Sequence, residues 1–252
     1  MRQIGKICGL ILLLIGAGYS SSAGTLIGNG QSLAFLGDSI TQAGGSRPGG
    51  YARLVISGLA ANGINVTPVY AGIGGNKSND MLARIEKDII ARKPDFMTLS
   101  CGVNDVWHGT KGVPLEQYKE NITAILDKAE AAGIKVIILT ATMIGEDPLS
   151  PNNQKLAPYN EFLRDCAKKR GQPLANLNAA MQNAVENAKK SKSPLILGNT
   201  YLTTDGVHMA PPGDQMMAVE ILRTLGLDKS QVEKAVESWM DIPEACSISG
   251  KT

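Results

Sequence analysis

Residues 32–41 read Ser32-Leu33-Ala34-Phe35-Leu36-Gly37-Asp38-Ser39-Ile40-Thr41. Four apolar residues end abruptly in glycine and two small polar residues, too short a run for a helix and closed by a turn signal. Such a run reads as a buried strand that stops at a turn. Ser39 is thereby placed just beyond a strand end, a position suited to a nucleophile.

The same rhythm repeats outward from this strand. Short apolar runs rich in branched residues recur at 66–70, 95–100 and 135–141, with a weaker one at 173–177. Segments with helical spacing fill the gaps at 51–61, 79–92, 115–132 and 154–169, and Gly133 and Gly171 stand where helix ends commonly take glycine. This alternation predicts βα units around a parallel sheet of five strands. Three further helices are predicted at 179–189, 212–225 and 229–240, the last with a solvated charged face. No repeat or long linker divides the chain, so residues 24–252 are read as one domain.

Composition narrows the function. Hydrophobic residues make up 43% of the 252 residues, enough for a large core, and a net charge of +2 supplies no basic stripe for nucleic acid. The expected substrate is neutral, either small or polymeric. At the N-terminus, Arg2 and Lys6 precede an apolar run at 7–15 and the small residues Ser21-Ser22-Ala23, the pattern of a signal peptide over residues 1–23. Its apolar run is shorter than the roughly 20 residues that span a bilayer. The mature chain is therefore expected to be secreted or periplasmic, with no stable membrane insertion after cleavage. Cleavage would remove Cys8 and leave Cys101, Cys166 and Cys246, too sparse for a disulfide framework and without zinc-ligand spacing. No metal and no cofactor are expected; Cys166 and Cys246 either pair or remain thiols.

Ser39 needs a base to take its proton, and Gly-Asp-Ser alone is more often an ordinary turn. Beyond residue 23 the histidines are His108 and His208. His208 follows Asp205 by three residues on a turn, so a carboxylate can fold back onto Nδ1 and leave Nε2 for the serine. Standing alone, the same pair also reads as a helix-capping aspartate beside an incidental histidine. Two more segments after strands could supply oxyanion donors: Gly72-Ile73-Gly74-Gly75-Asn76, whose glycines admit a close backbone approach, and Gly102-Val103-Asn104-Asp105, with a side-chain amide. The glycine run matches neither the P-loop spacing nor the dinucleotide fingerprint.

Together these four segments resemble, in order, the sequence blocks of the SGNH hydrolases, or GDSL esterase/lipase family, over about residues 31–225. The resemblance implies Ser39, Asp205 and His208 as a catalytic triad, with the Ser39 and Gly75 amides and the Asn104 side chain as the oxyanion hole. It also implies a flavodoxin-like three-layer α/β/α sandwich, in agreement with the strand count above. Ile40 stands where the family often has leucine, and Tyr70 or Ala71 where it often has asparagine. Neither departure touches a residue with a direct role in the chemistry.

Trp107 and His108 follow the third block and are placed at the rim of the crevice, where the indole could stack on a sugar or an acyl chain; an ordinary exposed loop is the alternative. Met143 and Ile144 follow the fourth strand and either wall the acyl pocket or pack in the core. Arg84 is read as a structural ion pair, and the sequon at Asn121 lies inside a helical pattern and carries no functional weight. The expected activity is that of a secreted serine esterase acting on short-chain, chiefly acetyl, esters of carbohydrate. The substrate partner is thus a small-molecule or polysaccharide ester. Lysophospholipase, broad acyl-esterase or acyltransferase activity is the runner-up, and a non-catalytic carbohydrate-binding protein the remote alternative.

Overall fold

The computed structural model describes residues 24–196 and 198–246, so the expected signal peptide lies outside the described residues. Strands β1 (Ser32–Gly37), β2 (Thr67–Gly72), β3 (Phe96–Ser100), β4 (Lys135–Leu139) and β5 (Leu174–Ala175) form one sheet in the order β2-β1-β3-β4-β5. Every pairing is parallel, with Ala34 opposite Val69 and Met97. This is a flavodoxin-like doubly wound order, and its crevice is expected at the carboxyl ends where the winding reverses, between β1 and β3.

Helices cover both faces. On one, α2 (Tyr51–Ala61) packs against α8 (Pro211–Thr224) and α9 (Lys229–Trp239), with α7 (Leu177–Lys190) also against α8. On the other, α5 (Leu115–Ala131) lies between α3 (Ser78–Asp88) and α6 (Pro151–Arg170). All five residues of β3 and five of six in β1 are buried, the continuous burial expected of strands covered on both faces. β2, at the edge, leaves Thr67 and Tyr70 exposed.

Two short helices lie in segments where the sequence suggests only turns: α1 (Ser39–Ser46) and α4 (Val103–Trp107). Two glycines weaken α1 as a helix former, but the Asp38 carboxylate caps it by accepting the Ile40 N–H at 2.9 Å. Gly44 lets the Tyr51 ring lie directly on the helix; a Cβ there would run into that ring. α6 starts three residues earlier than its periodicity suggests, because Ser150 caps Asn153 and Pro151 occupies the first turn. β5 has two residues because Asn176 at once caps α7. A last helix, α10 (Pro243–Cys246), closes the described chain. Cys101 and Cys166 are buried free thiols.

Candidate active site

Ser39 is the first residue of α1, directly past β1, so its own N–H lies ahead of the intrahelical ladder. Its Oγ is 2.9 Å from Nε2 of His208, and Nδ1 of His208 is 2.6 Å from Oδ2 of Asp205. A carboxylate can only accept, so Nδ1 carries the proton and Nε2 is left to receive the serine's. Oδ1 of Asp205 accepts the amides of Val207 at 3.0 Å and His208 at 2.8 Å. Burial pushes the Asp205 carboxyl up, but the hydrogen bonds from the His208 ring and the two amides outweigh it, and the group settles below the usual range.

The acid and base sit on a hairpin whose arms are joined by bonds from Thr204 N–H to His208 C=O and from Ala210 N–H to Leu202 C=O. Asp214, in the first turn of α8, fastens this hairpin to the helix that begins with Ser39. Its Oδ2 accepts Arg47 at 2.7 Å and its Oδ1 the Tyr51 N–H, while Arg47 also donates to the Met209 carbonyl at 3.2 Å. Burial lifts Asp214 to about 7 against the opposing pull of Arg47 and the Tyr51 amide.

Asn104, on α4, gathers the other segments. Its Nδ2 donates to the Asn76 carbonyl at 3.1 Å and lies 3.4 Å from Oδ2 of Asp38, and its Oδ1 faces Nε2 of His108 at 3.2 Å. These partners fix the amide's orientation and require the proton on Nε2 of His108. Gly75, with φ +74, holds a left-handed turn that a side chain would strain. Burial raises Asp38 to about 6; the Ile40 amide opposes that rise and the nearby Asp105 charge adds to it.

The sequence-derived residues thus divide cleanly. Ser39, Asp205 and His208 form one hydrogen-bonded chain, and Asn104 and the Gly75 turn belong to the adjoining post-strand segments. His108 contacts Asn104 rather than Ser39. Trp107 is 42% exposed and sets its ring edge-on to His208, centroids 6.4 Å apart. Met143 is 0% exposed, with its N–H on the Met181 sulfur, so it packs in the core and offers no surface to an acyl group. Ile144 is buried as well, and Asn121 is buried against the Ser78 hydroxyl.

Arg84 does more than pair with Asp88: it also donates to the carbonyls of Gly37 at 2.8 Å and Ala71 at 2.9 Å and to the Asn76 side chain at 2.7 Å. It ties the ends of β1 and β2 to the glycine turn. Among the described residues, no His/Cys/Asp/Glu group is arranged to hold a metal, and no helix is long and apolar enough to cross a membrane.

Residues 35–216 match the model of the GDSL-like Lipase/Acylhydrolase family. The chain belongs to this family. As a GDSL-type acylhydrolase it is a carboxylic ester hydrolase, and its fold is the one the sequence resemblance implies. Similar proteins include the acetylxylan esterase of Geobacillus stearothermophilus, 27% identical over 80% of this chain and 97% of that protein. That esterase's crystal structure superposes with a TM-score of 0.70 over 81% of this chain and 97% of its own. A second acetyl xylan esterase, AlAXEase, is 31% identical with a TM-score of 0.67, over 76% of this chain and 98% of that one. Esterase TesA of Pseudomonas aeruginosa is 34% identical over 43% of this chain and 53% of its own length.

Proposed function

We propose that this GDSL-type hydrolase is an exported serine esterase that removes short acyl groups, chiefly acetyl, from O-acetylated carbohydrate. The observation that carries this reading is the unbroken chain from Ser39 Oγ through His208 to Asp205, with contacts of 2.9 and 2.6 Å. The acetyl preference is supported by the likeness to two acetylxylan esterases. Catalytic mutants of the Geobacillus esterase carry serine-to-alanine and histidine-to-alanine exchanges. Export rests on the N-terminal basic, apolar and small-residue pattern.

In the proposed reaction, Ser39 Oγ attacks the ester carbonyl carbon as its proton passes to His208 Nε2. The negative oxygen meets the Ser39 and Gly75 amides and the Asn104 side chain; at Asn104 it takes over the donor now spent on the 3.4 Å contact with Asp38. Collapse breaks the bond to the sugar oxygen, which leaves with the proton from the imidazolium. Water then attacks the acyl-enzyme and gives its proton to His208, acetate departs, and Ser39 is restored.

Removing one oxyanion donor typically costs 10²–10³ in kcat, so Asn104→Ala is expected to lower kcat by about that factor with KM little changed. Steady-state kinetics on p-nitrophenyl acetate check this. Trp107 is expected to act as a sugar platform. Trp107→Ala should then lower kcat/KM for an acetylated xylo-oligosaccharide about fivefold to tenfold, the ~1 kcal/mol of one ring contact, with a smaller effect on p-nitrophenyl acetate. Equal losses on both substrates would remove that role. The substrate itself is tested by p-nitrophenyl esters of increasing chain length, run beside acetylated xylan and a lysophospholipid. Acetate should be preferred; a preference for octanoate or longer overturns the acetyl reading.

A further inference from the structure

Glu146 lies in the segment after β4, and four donors converge on its half-buried carboxylate. Oε2 accepts the Tyr201 N–H at 2.6 Å, and Oε1 accepts Leu202 N–H at 2.8 Å, Thr203 N–H at 2.9 Å and the Thr203 hydroxyl at 2.8 Å. All four donors come from one stretch of chain, residues 201–203, with three of them gathered on Oε1. Its neighbour Gly145 donates to the carbonyl of Gly206, between Asp205 and His208, at 2.7 Å. The Glu146 segment is itself held from α6: Asn153 accepts the Ile144 N–H and donates to the carbonyls of Ile144 and Asp147.

The anchored residues form the first arm of the hairpin that carries Asp205 and His208. That hairpin needs an external hold, because the Asp205 side chain is 48% exposed and the His208 side chain 35% exposed. Apolar packing grips the arms at Leu202, Val207 and Met209 but does not reach the working end of the imidazole. A displacement of about 1 Å between reacting groups can cost on the order of 10² in rate. Hydrogen bonds on the backbone of the arm are directional enough to set that distance.

We propose that Glu146 is a positioning residue of the base: beside the Arg47 bond to Met209, its carboxylate fixes the first arm of the hairpin so that His208 reaches Ser39. This rests on the serine-esterase reading above. Glu146→Gln leaves one acceptor oxygen where two stood and turns an amide donor toward a backbone N–H. The expected result on p-nitrophenyl acetate is a fall in kcat of about tenfold to hundredfold with KM within about twofold.

Two further readouts separate positioning from simple structural support. The far-downfield NMR resonance of the His208 Nδ1 proton, which the Asp205 contact produces, should broaden or vanish in Glu146→Gln while far-UV circular dichroism is unchanged. In a His208→Ala background the Glu146 substitution should have no additional effect on the residual rate. A kcat within about twofold of wild type, an unaltered downfield proton, or the same fold loss in both backgrounds would overturn the proposal. Should Glu146→Gln not fold, Thr203→Ala removes a single donor and is expected to lower kcat about twofold to fivefold at constant KM; an unchanged kcat there overturns it. Activity that survives Ser39→Ala would instead sink the serine-esterase reading itself, whatever Glu146 does.

Discussion

Replacing Ser39 with alanine is expected to lower kcat for p-nitrophenyl acetate by about 10⁶-fold, since losing the nucleophile of such a set costs about as much as losing all of it. The substitution removes one oxygen from a partly exposed helix start. Asp38 still caps Ile40, and Arg47, just past α1, still bonds both Asp214 and the Met209 carbonyl of the His208 hairpin. KM and the melting temperature should therefore stay close to wild type. What survives is the rate supplied by the oxyanion donors and binding, roughly 10³–10⁴ over water in comparable enzymes. A stable Ser39→Ala protein with near-wild-type turnover is incompatible with the mechanism.

Asp205→Asn is expected to cost about 10⁴ in kcat through the wrong imidazole tautomer. The asparagine cannot choose its orientation freely. One oxygen of Asp205 already accepts the amides of Val207 and His208, and only the asparagine carbonyl can replace it. Its NH₂ group is then forced against Nδ1 of His208, where the carboxylate oxygen stood at 2.6 Å. Nδ1 becomes an acceptor, the ring proton moves to Nε2, and that nitrogen faces Ser39 Oγ as a donor instead of a base. Kinetics checked beside the melting temperature will show a loss of rate far larger than any loss of stability. A kcat within about tenfold of wild type would mean that the Asp205 carboxylate does not set the tautomer.

The sheet was legible because buried parallel strands write themselves as short branched apolar runs; β1, β3 and β4 lie within a residue or two of their expected limits. The serine, glycine-turn and asparagine segments were legible because each follows a strand, and Asp205 and His208 because an acid three residues before a histidine carries chemistry in its residue types. α1 was not, since its two glycines mask the local Asp38 cap and the seat of Tyr51 on Gly44 is a tertiary contact, and α4 was not, since five residues are too few to show a helical period. Glu146 was invisible for a related reason: its partners at Tyr201, Leu202 and Thr203 are mostly backbone amides, which leave no trace in residue identity. Arg84 read as an ion-pair residue, and it does pair with Asp88; its grip on the Gly37 and Ala71 carbonyls is likewise made to backbone. For Met143 the position after a strand leaves both a pocket wall and core packing open, and its enclosed side chain fits the second.

The central claim is that Ser39 is the nucleophile and His208 its base, and covalent labelling tests it most directly. A fluorophosphonate reacted with the purified protein should add its phosphonyl group to one peptide, the one containing Ser39, with concurrent loss of esterase activity. Labelling should disappear in Ser39→Ala and slow sharply in His208→Ala. Modification at a different residue, or full esterase activity in protein whose Ser39 is quantitatively phosphonylated, would contradict it.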